Sequence, residues 1–215
     1  MGHSHDTVPV SPTGAQRIAL LEAAQGRDEQ SIALVDDAVS SPEPALRATA
    51  LSALSTQGRL DAGRLATALG DADPSVRRRA AQLSFGPRLR DEPSVTAALL
   101  SALDDEDVFV AVAVLVALGE RADATALEAV TAVAASSTEP LVVEEAVATL
   151  GALGDEASID VIAELLSTAK PALRRRIVAA IGAFSGPKVE AMLVQLEGDR
   201  DWQVRQAVAM LRRGD

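Results

Sequence analysis

The chain has 215 residues, a formal net charge of −11 and a composition that is 48% hydrophobic but only 2% aromatic. The absence of cysteine excludes disulfides, thiolate metal sites and a cysteine nucleophile, and it fits a reducing, cytoplasmic setting. The acidity argues against nucleic acid and anionic membranes as partners, and no apolar run reaches the ~20 residues of a membrane span.

Residues 1–13 read as a flexible polar tail that holds both histidines of the chain, His3 and His5. From residue 14 onward one solenoid domain is expected to run to residue 215. A helix over residues 15–25 caps its start. The core material is mainly Ala, Val and Leu, with Phe85, Phe109, Phe184 and Trp202 as the aromatic residues. Small aliphatic side chains suit helices that pack close together.

A pattern then returns on a fixed period. Its apolar anchors are Leu46, Val76, Phe109, Val142, Leu173 and Val204, spaced by 30, 33, 33, 31 and 31 residues. Two places before each anchor stand Pro44, Pro74, Asp107, Pro140, Pro171 and Trp202. Proline is tolerated in the first turn of a helix, where its missing N–H has no partner to lose. Five places before stand Ser41, Asp71, Asp104, Ser137, Thr168 and Asp199, residues that cap helices or close turns through a side-chain oxygen. Four places after come Ala50, Ala80, Ala113, Ala146, Ile177 and Val208, a mostly small column that lets neighbouring helices approach.

Each anchor opens a helix that closes near a glycine: Gly58, Gly86, Gly119, Gly154, Gly186 and Gly214. Between copies lie second apolar-periodic segments such as "RLATALG", "VTAALLSAL" and "IDVIAELLS". No stretch alternates as a strand would. The unit is therefore helix, turn, helix, and it buries its apolar faces only by stacking on the next unit.

The segments "DADPSVRRRAAQL" and "GDRDWQVRQAVAML" resemble the short HEAT-like repeats also known as PBS-lyase HEAT-like repeats, with an acidic turn, then Val-Arg, then Ala. The resemblance spans residues 28–213. It implies an all-α, right-handed solenoid of about six repeats whose second helices line a concave face. It also implies a non-catalytic scaffold or adaptor that binds another protein without a cofactor. The alternative it leaves open is a protein that binds a small molecule such as a bilin, or acts as a lyase on one. Tyr and His are absent from the folded body, which weakens that alternative.

Within the repeats, Arg47, Arg77, Arg174 and Arg205 form a column expected to bond turn carbonyls or acidic turn residues of a neighbouring repeat. Val110 and Val143 stand there in repeats 3 and 4. The next positions are expected to face outward. They supply the candidate partner-binding residues Arg78, Arg79, Ala111, Leu115, Glu144, Arg175 and Arg176. The helix "VFVAVAVLVAL" is apolar all round, so either tight curvature or a partner must cover Leu115 and its neighbours, the partner including a second copy of the chain. No catalytic constellation, metal-ligand cluster or phosphate-cradling loop is recognisable.

Overall fold

A computed structural model describes residues 11–214. Thirteen α-helices follow one another. The odd-numbered ones are α1 (Pro12–Ala23), α3 (Pro44–Gln57), α5 (Pro74–Leu83), α7 (Val108–Arg121), α9 (Pro140–Leu153), α11 (Pro171–Ile181) and α13 (Trp202–Arg213). Between them run α2 (Glu29–Val39), α4 (Ala62–Leu69), α6 (Pro93–Ser101), α8 (Leu127–Ser136), α10 (Ser158–Leu166) and α12 (Pro187–Glu197). The described residues contain no strand. No helix among them is long and apolar enough to cross a membrane. The expected tail lies mostly outside the described residues, and helix α1 begins at Pro12.

The odd helices stack on one another in an unbroken layer, and the even helices form a looser layer behind them. Closer packing on the odd side bends the stack, so the odd layer is concave. A column of fully buried side chains explains the approach: Ala50, Ala80, Val114, Ala146, Ile177 and Val208. The sequence register is therefore off by one in the third repeat. Val114, not Ala113, belongs to the column, and the buried anchor is Val110, while Phe109 is 59% exposed. Helix α7 starts at Val108, the position that proline holds in α3, α5, α9 and α11. The turn before α7 holds six residues, against four before α3, α5 and α11. The remaining anchors, Leu46, Val76, Val142 and Val204, are buried, and Leu173 is partly so.

In this register, guanidinium–carboxylate forks join the repeats. The Arg77 guanidinium forks onto Asp105 of the next repeat at 2.6 and 2.7 Å and also donates to the Asp71 and Ala72 carbonyls of its own turn. Arg47 makes the same bonds to Asp71 at 2.8 and 2.6 Å. Arg174 does so to Asp199 at 2.6 and 2.8 Å. Each aspartate in turn accepts the backbone N–H two residues on, from Asp73, Asp107 and Asp201. The acidic member in the third repeat is thus Asp105 rather than Asp104.

The ladder is matched pair by pair. Ala111 takes the arginine position in the third repeat, where Val110 was expected, and Ser137 stands at the matching aspartate position of the next repeat. Val143 likewise precedes Thr168. Arg205, in the last repeat, bonds only the Asp199 and Arg200 carbonyls.

Where the arginine–aspartate fork is missing, helices come into close contact instead. Gly119 on α7 lies against Thr149 and Ala152 of α9, and Gly151 on α9 lies against Ala180 of α11. Thr149 Oγ1 donates to the Leu115 carbonyl across the same interface, at 2.9 Å. Gly119 therefore sits inside α7 and does not end it. The helix runs on to Arg121 and closes on Ala122 at φ 50°. Gly58, Gly154 and Gly214 do close their helices in the left-handed conformation, whereas Gly86 lies in the turn after α5 and Gly186 precedes α12.

The ladder gives the fold an acid limit. Hydrogen bonds from the arginines hold the Asp71, Asp105 and Asp199 carboxyls below the ordinary carboxylate range, against the opposing pull of partial burial. A carboxyl depressed in the folded state stabilises the protein above its unfolded value of ~4, and that stability is lost as pH falls through the folded values. Urea midpoints of the wild type should hold steady from neutral pH to about 5 and then drop. The triple variant Asp71→Asn, Asp105→Asn, Asp199→Asn should start lower by roughly 1 kcal/mol per pair and converge on the wild type in acid. Parallel curves at every pH would refute this account.

Candidate functional site

The first four odd helices enclose an open groove of about 700 Å³ on the concave face. Side chains two and three places after each buried anchor point into it. On α3 these are Ala48 and Thr49, on α5 Arg78 and Arg79, and on α7 Val112 and Ala113. Small residues, Ala45, Ala48, Thr49 and Ser52 of α3, leave room in the floor. Phe85, Phe109 and Val116 line one side, and Leu21 with Arg17 on α1 closes the other.

Among the described residues no Asp or Glu lines this groove, although the whole chain carries a net charge of −11. Its three cations, Arg17, Arg78 and Arg79, have no hydrogen-bond or ion-pair partner among the described residues. Arg78 and Arg79 are exposed, as are the Leu21 and Phe109 side chains.

The candidate residues of the sequence thus fall into three groups. Arg78 and Arg79 stand together in the groove with their charge uncompensated. Glu144, Arg175 and Arg176 lie farther along the odd layer, outside the groove. There Arg176 Nη2 meets Glu145 Oε2 at 3.3 Å, and Arg175 Nη1 lies 3.8 Å from Asp201 Oδ2 and donates to Gln203 Oε1 at 3.0 Å, so that half neutralises itself. Ala111 and Leu115 are corrections. They are 4% and 0% exposed, point into the core and offer nothing to a partner. The shift of register in α7 moves Val112 and Ala113 into the outward positions instead. Neighbouring helices cover most of the apolar helix, and only its strip from Phe109 through Val112 to Val116 faces the groove.

Two polar residues that support this surface carry no sequence signal. Gln57 and Arg121 occupy the same place at the ends of α3 and α7. Both reach back to a carbonyl at the end of the preceding odd helix, which a helix terminus leaves without an intrahelical donor, and Arg121 also reaches two carbonyls of the segment between α5 and α6. Gln57 Nε2 donates to Ala23 at 3.0 Å. Arg121 donates to Ser84 at 3.0 Å, Leu89 at 2.6 Å and Glu92 at 2.8 Å.

The sequence pattern of the family described as HEAT repeats matches residues 62–147, 96–173 and 159–211. Among solved structures, YibA from Escherichia coli superposes with a TM-score of 0.63 at 16% identity, covering 96% of this chain and 76% of that one. A designed armadillo repeat protein in complex with the peptide (KR)4 gives a TM-score of 0.58 at 17% identity, covering 92% of this chain and 98% of that one. An engineered protein gives 0.57 at 19% identity, covering 92% and 94%. Such likenesses speak for the fold alone. A search of curated proteins finds no match.

Proposed function

Because the chain belongs to the HEAT-repeat family, we propose that it is a non-catalytic interaction scaffold whose partner protein docks in the concave groove formed by α1, α3, α5 and α7. The observation that carries this reading is the groove itself. It is open, it places uncompensated arginines beside exposed Leu21 and Phe109, and all of these except Phe85 stand on packed helices rather than on loops. Side chains already held by helix packing lose little freedom on binding, so more of the contact energy survives as affinity. The designed armadillo protein, similar in fold, is a complex with the peptide (KR)4.

Selection from a random peptide library on the full chain tests this. Enriched peptides should lose about tenfold in affinity or more with Phe109→Ala, which removes an exposed anchor, and with Ala113→Trp, which fills the groove. The exposed outer-layer change Ala97→Trp should leave them unaffected. Enriched peptides indifferent to both groove variants, or no enrichment at all, would defeat the reading.

A further inference from the structure

We propose that the groove selects an extended, acidic peptide segment bearing large apolar side chains. The inference rests on the scaffold reading above and adds the chemistry of the partner. Among the described residues, Arg17, Arg78 and Arg79 supply the only ionised side chains in the lining. In a strongly acidic chain they make a local inversion of sign, and the recess around them concentrates its field.

The contrast with the other end of the odd layer is informative. Arg175 and Arg176 are also adjacent and also on an odd helix, yet each has an internal partner. Arg78 and Arg79 have none among the described residues, and no carboxylate lines the recess to provide one. A ligand carboxylate would complete two-pronged guanidinium pairs of the kind that the adjacent Arg77 makes with Asp105.

The apolar requirement comes from Leu21 and Phe109, which are 55% and 59% exposed on opposite rims. Large side chains of a ligand would cover them together with Phe85 and Val116. Length follows from the helices. Four neighbours at a spacing of ~10 Å span about 30 Å, which an extended segment of about nine residues crosses. A basic peptide of the (KR)4 type meets like charge here and is rejected.

The selected peptide pool decides the matter when its net charge is read. Enrichment in Asp and Glu beside Leu, Phe or Trp is expected, with (KR)4 not bound. The double variant Arg78→Glu, Arg79→Glu should weaken the enriched peptides by about tenfold or more, and raising salt from about 0.05 to 0.5 M should weaken the wild-type complex. Both arginines are exposed, so the double variant should keep its helical content.

A pool that is neutral or basic, yet still lost in Phe109→Ala and Ala113→Trp, would overturn the acidic assignment and leave the scaffold reading standing. A pool indifferent to every groove variant would remove both. Concentration-dependent dimerisation abolished by Arg78→Glu, Arg79→Glu would assign the groove to a second copy of the chain. A chain starting at Ser11 that binds acidic peptides about tenfold tighter would assign it to residues 1–10. Either result overturns the proposal.

Discussion

Replacing Arg121 with methionine should cost ~3–5 kcal/mol and loosen the segment between α5 and α6 before any other part of the chain. The guanidinium is 7% exposed and touches no carboxylate. It holds three carbonyls, of Ser84, Leu89 and Glu92, and the Thr96 hydroxyl, whose own proton goes to Asp123 at 2.8 Å. Burial pulls its pKa down from the ordinary arginine value, with Asp123 and Asp91 nearby acting the other way, and it stays charged at neutral pH. Methionine fills similar volume without a donor, so the cost is that of carbonyls left unpaired. Lysine should recover less than half of the loss, because an ammonium cannot fan out to acceptors on several sides as the planar fork does. Hydrogen exchange of the amides from Leu83 to Thr96, followed beside a urea titration, reads both effects. Unchanged protection in the methionine variant would show that the network contributes nothing.

Gly151→Leu should cost ~2–4 kcal/mol by prising α9 from α11, and Gly151→Ala should already destabilise. In an exposed helix the alanine change gains about 1 kcal/mol. Here an added Cβ would stand 2.8 Å from the Ala180 Cα, 3.0 Å from its Cβ and 3.1 Å from its carbonyl oxygen. Backbone cannot swing aside as a side-chain tip does, so the two helices must separate. Gly182 provides the control. There the nearest atom, also at 2.8 Å, is the Cδ1 of Leu211, which can rotate away. Gly182→Ala should therefore be close to neutral in thermal and urea melts. A stabilised Gly151→Ala protein would mean that α9 and α11 lie farther apart than described.

The repeat architecture was legible because stacking imposes one requirement many times over. Proline at the first helical position, a buried anchor and a tight column four places on recur in the sequence as they do in space. The phase of α7 was not legible. "DEDVFVAV" offers three consecutive apolar residues as anchor and several acids as turn residue, with no proline to decide among them. The fork on Asp105 decides it, and that contact lies 28 residues from Arg77. From this one slip came the errors at Ala111, Leu115 and Asp104. Arg78 and Arg79 were placed on the outward face because their helix carries an unambiguous polar pattern. Their difference from Arg175 and Arg176 was invisible, since it depends on which acids the adjacent helices bring near. Arg121 was missed for a related reason: an arginine in the last turn of a helix ordinarily reads as a solvated charge.

The order of the guanidinium–carboxylate pairs makes the units unequal as modules. Excising the second would bring Arg47 to Asp105, a like-for-like junction. Excising the third would set Arg77 against Ser137, stranding a cation at a closed seam. Gain and loss of units, the usual route by which such arrays change length, is thus permitted at some joints of this chain and barred at others.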